Sequence, residues 1–197
     1  MKNLLLPVSL LAFTALGCTS TGGGSQKEPD QQEMMAAMQR AATPGAQHKA
    51  LDAFVGTWDA KVTFWMDPKA PPMESTGTMV NSWIYDGHYL EQKFEGDMGG
   101  MPFQGTGMWG FDVAAGKYVS TWFDSMSTSI SVGSGPASKD GKTFLSEAIN
   151  TNPITGEPSK GSEVITIVSP SEHKMEMFEM HGDQKVKTMQ IVYTKRM

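Results

Sequence analysis

The sequence predicts an all-β protein: an antiparallel up-and-down β-barrel of about ten strands, preceded by short N-terminal helices. Three observations lead there. From Gly56 to the C-terminus, side-chain polarity recurs with a period of two, the signature of half-buried strands. Turn dipeptides interrupt that pattern at short intervals, and nothing between the runs reads as a helical crossover. An open sheet of that many strands would leave two bare edges, which closure into a barrel removes.

The elements follow in chain order. Lys2 opens a short positive segment, and residues 4–16 are apolar, interrupted by Pro7. That run is too short for a bilayer core of ~30 Å and reads as a signal peptide ending at Gly17. Cys18 is the only cysteine of the chain. Ala15-Leu16-Gly17-Cys18 resembles a bacterial lipobox, with Ala15 in place of the usual Leu, so Cys18 is the expected lipid attachment site. Several acyl chains anchor firmly, because each buried CH₂ contributes ~0.8 kcal/mol. Thr19, where an Asp would favour inner-membrane retention, fits outer-membrane sorting, with the protein facing the periplasm. With its one thiol acylated, the mature domain has no disulfide.

Residues 18–30 are small and polar and form a flexible tether. Residues 31–42 are helix formers stopped by Pro44-Gly45, with Met34, Met35 and Met38 at helical spacing as a docking face. Residues 46–55 form a second short helix with Leu51, Phe54 and Val55 on one side. The barrel spans 56–197. In its first strand, 56–66, Trp58, Ala60, Val62, Phe64 and Met66 share one face. Further strands are expected at 75–85, 88–94, 102–112, 118–124, 128–134, 143–149, 162–168, 174–181 and 185–194. Turns between them are marked by Asp86-Gly87, Gly99-Gly100, Ala115-Gly116, Asp140-Gly141, Thr155-Gly156, Ser169-Pro170 and Gly182-Asp183.

Composition excludes some classes. The chain has 197 residues, suiting one domain, with a net charge of -5 that becomes -6 once the single cation Lys2 leaves with the leader. There is no basic run, so nucleic acid, whose binding needs Lys and Arg to replace counterions, is not an expected partner. Gly 21 and Pro 11 make the chain turn-rich, while Trp 5 and Phe 9 supply a core.

The residues also resemble a known family. His48-Lys49-Ala50-Leu51 and Phe54-Val55-Gly56-Thr57-Trp58-Asp59 are similar to the opening of the domain of unknown function 1579 family. The likeness continues through Asp86-Gly87-His88-Tyr89-Leu90, Pro102-Phe103-Gln104-Gly105 and Tyr118-Val119-Ser120-Thr121-Trp122-Phe123-Asp124-Ser125-Met126, and closes at Val192-Tyr193-Thr194-Lys195-Arg196. His88 departs from it, standing where an Arg often follows the Gly, as do Phe111 and Phe178 at Tyr positions. The resemblance implies a calycin-like or lipocalin-like barrel and no established activity. In such barrels a Gly-x-Trp after a short helix, here Gly56 and Trp58, closes the floor beside a tight backbone approach.

The expected function is non-covalent binding of a small, largely apolar molecule in a barrel cavity. Trp58, Trp83, Trp109 and Trp122 fall on strands, and Tyr118, Ser120, Trp122 and Asp124 share a face that mixes apolar and polar groups, as ligand cavities do. The candidates are therefore Trp58, Trp83, Trp109, Tyr118, Trp122 and Asp124. A filled core is the alternative, since both faces of the strands carry aromatics. Met175, Met177 and His181 share a strand face and form a candidate Cu(I) set, although Met also fills core gaps without metal. His181 is also a candidate axial haem ligand, because the fold class is similar to nitrobindin-type barrels, which hold haem through one His on a late strand. An enzyme acting on an envelope metabolite is a further reading: Asp112, Asp124 and His88 are its candidate acid–base set, although no hydrolase motif is present and Asp112 also suits the turn before Gly116.

Overall fold

The computed structural model describes residues 30–197; the predicted leader, Cys18 and the tether before Asp30 lie outside them. Ten antiparallel strands follow one another as β1 (Gly56–Phe64), β2 (Met73–Ile84), β3 (Tyr89–Met98), β4 (Met101–Asp112), β5 (Lys117–Asp124), β6 (Ser131–Gly135), β7 (Thr143–Thr151), β8 (Pro158–Ser169), β9 (Glu172–His181) and β10 (Gln184–Lys195). Each pairs with its sequence neighbours, and β1 meets β10 in register from Trp58↔Lys195 to Phe64↔Met189. The sheet is thus a closed up-and-down barrel without a free edge. Its narrowest seam is β6–β7, where Gly133↔Ala148 and Ser134↔Glu147 are the strand pairs, extended by the isolated bridge Ala137↔Phe144.

Alternation sets what faces inward. On β1, Trp58, Ala60 and Val62 are buried while Asp59 and Lys61 are exposed. The β2–β3 hairpin turns at Tyr85, Asp86 and Gly87, all three with positive φ. His88, expected on the strand, belongs to this turn, with Nδ1 against the Tyr85 carbonyl and Nε2 2.9 Å from the Ala42 carbonyl. β6 starts at Ser131, later than the alternation suggests. Before it the Ser127 hydroxyl accepts the Ser129 N–H at 3.0 Å, diverting the backbone into a side-chain-bonded turn.

Two apolar clusters form the core. One gathers Trp58, Val62, Met79, Phe94, Phe103, Ile191 and Tyr193; the other gathers Leu51, Phe54, Leu90, Trp109, Tyr118, Phe144 and Ile165. Leu51 and Phe54 come from the N-terminal segment and plug one end. That segment is not the single helix expected: α2 (Ala46–Lys49) gives way to a 3₁₀ turn (Ala50–Phe54). Three residues per turn place Leu51 and Phe54 on the same side, so both enter the barrel together. The Phe54 carbonyl accepts from Trp58 Nε1 at 2.8 Å and Asn81 Nδ2 at 2.9 Å, tying plug to wall. Gly56, at φ 124°, lets the chain pass from plug to strand, and Lys195 Nζ lies 5.2 Å from the Trp58 ring centroid.

α1 (Gln31–Ala41) carries an Asp30 capping box, in which Asp30 Oδ1 accepts the Glu33 N–H at 2.9 Å. No residue of α1 is buried, and Met38 is 71% exposed. The methionine stripe therefore docks against nothing among the described residues.

Candidate functional site

The barrel interior above the plug is hollow. Its cavity has a volume of about 470 Å³, within the roughly 300–1,000 Å³ typical of small-molecule sites. The floor is aromatic. Phe54 lies 4.9 Å from Trp109 between ring centroids, and Phe144 lies 5.0 Å from Tyr118 and 5.1 Å from Trp109. Tyr118 also donates its hydroxyl to the Gln47 carbonyl at 3.1 Å, and burial raises its pKa. Methionines from one arc of the barrel, Met79 on β2, Met175 and Met177 on β9 and Met189 on β10, line the wall. Toward the other end, at the ends of β5 and β9, lie Trp122, Asp124, Met126, Phe178 and Glu179. Trp122 donates from Nε1 to Asp124 Oδ2 at 3.0 Å, and the Met126 N–H reaches Asp124 Oδ1 at 2.9 Å. Its indole has room because Gly105 and Gly107 on β4 stand beneath it: a Cβ at either position would press into the ring.

Polar groups occupy the wall between. Ser146 on β7 stands opposite Glu163 on β8, and Glu163 stands opposite Met177 on β9. The hydroxyls of Ser146 and Ser120 both lie over Gly133, in the space that a side chain there would fill. Burial pushes the Glu163 carboxyl up to about 7, and no hydrogen bond or cation offsets it. Glu163 is deep in the protein, and the surface it keeps faces the cavity. Burial likewise lowers His173 to about 3, so its ring is neutral. That ring stacks 4.5 Å from Tyr193, with Trp58 at 4.3 Å and Phe54 at 5.0 Å. Burial and the nearby Glu163 charge both raise the Tyr193 pKa. Two buried polar atoms of the lining lack hydrogen-bond partners, Asn81 Oδ1 and His173 Nδ1.

Of the candidates expected from the sequence, Trp109, Tyr118, Trp122 and Asp124 line the cavity. Trp58 and Trp83 do not. Trp58 is sealed in the floor by its bond to Phe54, and Trp83 donates from Nε1 to Asp52 Oδ1 at 2.8 Å, against the outer side of the plug. Met175 and Met177 face inward, but His181 stands at the end of β9, 49% exposed and 3.9 Å from Glu179. The proposed Cu(I) set is therefore not assembled, and His181 is not placed to ligate a haem in the cavity. Among the described residues no group of three His, Cys, Asp or Glu side chains forms a metal site. The acid–base set is dispersed as well. Asp112 accepts the Ala115 N–H at 2.9 Å in the β4–β5 turn, His88 sits in the β2–β3 turn, and Asp124 lies at the far end of β5. Seven strand steps separate the Asp112 end of the barrel from Asp124, roughly 23 Å at the usual strand rise.

Glu163, His173 and Tyr193 went unnoticed in the sequence. The signal for Glu163 is its phase: a Glu two residues before the inward Ile165 on a strand must also point inward.

Residues 43–195 match the model of a family described as "Protein of unknown function (DUF1579)", and the chain belongs to that family. No curated protein matches at a significant level. Among solved structures, Rv2717c from M. tuberculosis is similar with a TM-score of 0.59 and 15% identity, covering 79% of this chain and 100% of its own. A redesigned β-barrel, b11L5F_LGL, aligns over 75% of this chain and 96% of its own at 17% identity, with a TM-score of 0.41.

Proposed function

We propose that this member of the DUF1579 family binds a small, largely apolar molecule non-covalently inside the barrel and does no chemistry on it. The observation that carries the proposal is the cavity of about 470 Å³, walled by methionines and aromatics and plugged at one end by Phe54. Each CH₂ moved from water into such a wall contributes ~0.8 kcal/mol. The methionines suit a ligand of irregular outline, since their three soft torsions let them follow its shape. We place the protein at the bacterial outer membrane, facing the periplasm and held through acyl chains on Cys18; the support is the lipobox-like segment and Thr19.

Two measurements test this. Trp109 and Trp122 line the cavity, so a bound ligand should shift or quench tryptophan emission and raise the melting temperature. A panel of alkyl alcohols, amines, carboxylates and isoprenoids that changes neither would overturn the binding reading. For the anchor, mass spectrometry of the native mature protein should find a diacylglyceryl thioether at Cys18, and Cys18→Ser should release the protein from the membrane fraction. An unmodified thiol there would refute the placement.

A further inference from the structure

The cavity's charge is one-sided. Four carboxyl groups line it, Asp97, Asp124, Glu163 and Glu179, and among the described residues no Lys or Arg does. Three of the four have nearby partners. Asp97 accepts the Gly100 N–H at 2.9 Å, Asp124 is held by Trp122 and Met126, and Glu179 lies 3.9 Å from the His181 ring. Glu163 has none, and it is the one placed deep in the wall, opposite Ser146 on β7. A buried carboxylate without a cation is costly, and a protein that keeps one in a cavity leaves that charge for a ligand to meet.

A second, independent observation points the same way. Asn81, which lines the cavity, is 2% exposed; its Nδ2 is used on the Phe54 carbonyl, and its Oδ1, an acceptor, has no donor. Unfilled acceptors call for a ligand that brings N–H groups. The aromatic lining adds to this, since Trp122, Trp109 and Phe144 belong to it and aromatic rings attract cations. A fatty carboxylate, the commonest apolar-tailed anion, would bring a fifth negative group into this space and supply no donor.

We propose that the barrel is selective for a cationic amphiphile, a protonated amine on an apolar body, with its ammonium on the Glu163 carboxylate and its body along Met177, Met189 and Trp122. This inference rests on the proposed binding function and narrows it to one ligand class. The acidic residues toward the cavity's outer end, Asp124 and Glu179, draw the cation in, and Glu163 holds it once it is out of water. Ser146 and Met177 flank Glu163 in the sheet, His173 is uncharged near neutral pH, and Tyr193 has been raised away from that range. His181, the other histidine on β9, stands at the strand's exposed end beside Glu179, four residues beyond Met177. On β10, Lys185 Nζ is engaged 4.6 Å over the Phe178 ring.

The test compares dodecylamine, dodecanol and dodecanoate by calorimetry and tryptophan emission at pH 8, on the full mature protein and on Glu163→Gln. The expected order is amine over alcohol over carboxylate. Glu163→Gln should weaken the amine at least tenfold and leave the alcohol within twofold. In the unmutated protein, amine affinity should fall about tenfold from pH 8 to pH 6, as Glu163 takes up its proton, while the amine stays charged throughout, as a lysine does. The alcohol should show no such slope. This arm stands even if the variant does not fold. Dodecanoate binding as tightly as the amine, or an amine affinity indifferent to both pH and Glu163→Gln, would overturn the selectivity while leaving the apolar cavity reading intact. If none of the three binds, both fall.

Discussion

Glu163→Gln should stabilise the ligand-free protein, by an amount that depends on pH in a defined way. The carboxyl has an ordinary value of 4.5 and is pushed to about 7 in the fold, purely by burial. Below pH 4.5 it is protonated in both folded and unfolded chains and costs the fold nothing beyond its neutral form. Between 4.5 and 7 the unfolded chain ionises while the folded one holds its proton, so stability drops with rising pH by about 1.4 kcal/mol per unit. Above 7 both are ionised and the penalty levels off at about 3 kcal/mol. Gln is nearly isosteric with the protonated acid and carries no charge, so the variant should match the parent at pH 4 and exceed it by about 3 kcal/mol at pH 8. In a domain of this size that corresponds to roughly 6–12 °C in melting temperature. Urea unfolding at pH 4, 6 and 8 measures it, and because other titrating groups are common to both proteins they cancel in the difference. A variant equally stable relative to the parent at all three pH values, or less stable at pH 8, would refute the assignment of Glu163 as an uncompensated buried acid.

The remaining predictions concern the plug, the tryptophans and the buried histidine. Phe54→Ala should cost about 3–5 kcal/mol, because its ring fills the floor between Trp109, Phe144 and His173, whereas deletion of residues 31–41 should leave urea unfolding unchanged, since α1 buries nothing. Trp122→Phe should abolish most of a ligand-induced emission change and Trp83→Phe should not, which steady-state fluorescence resolves. His173 is neutral in the fold and protonates below 6.5 when unfolded. Its contribution to stability is therefore intact above pH 6.5 and falls by about 3 kcal/mol by pH 4. His173→Phe should flatten that acid limb in a stability-against-pH series; an unchanged slope would show that the ring is not buried as described.

The barrel was legible because its strands are half-buried and most of its turns carry a recognisable residue pair; the connection before β6 carries none, and there the expected strand start was too early. Ten runs of period two became ten strands, and the face shared by Tyr118, Ser120, Trp122 and Asp124 is the inward face of β5. What alternation cannot convey is height along the barrel axis. Trp58 and Trp122 both point inward, yet one is sealed beside the plug and the other lines the cavity, because the 3₁₀ turn inserts Phe54 at one end only. The 3₁₀ geometry was itself hidden, since residues 46–55 satisfy helix propensity and only the docking of Leu51 and Phe54 selects the tighter winding. His181 failed as an inward ligand for the same kind of reason: its parity is right, but it is the last residue of β9 and half exposed to solvent.

The two buried titratable groups belong to one argument. Near neutral pH Glu163 costs the fold about 3 kcal/mol, and on acidification His173 costs a similar amount, within a total stability that for domains is roughly 5–15 kcal/mol. An apolar pair at these positions would fill part of the cavity and remove both penalties. The clusters around them show that the chain is able to pack densely: Trp58, Phe54, Leu51, Leu90 and Val62 leave almost no surface exposed. The wall formed by Ser120, Gly133, Ser146 and Glu163 is therefore not a failure of packing but a stretch where small and polar residues hold space open against the general tendency to fill it. Local rules are broken where a structure has a use for the breach, and here the breach is a hollow with a charge in it. If Glu163→Leu closed the cavity, raised stability and left the affinity for dodecanol and dodecylamine unchanged, the hollow would have no part in binding, and the search for a ligand would have to move to the outer surface of the barrel.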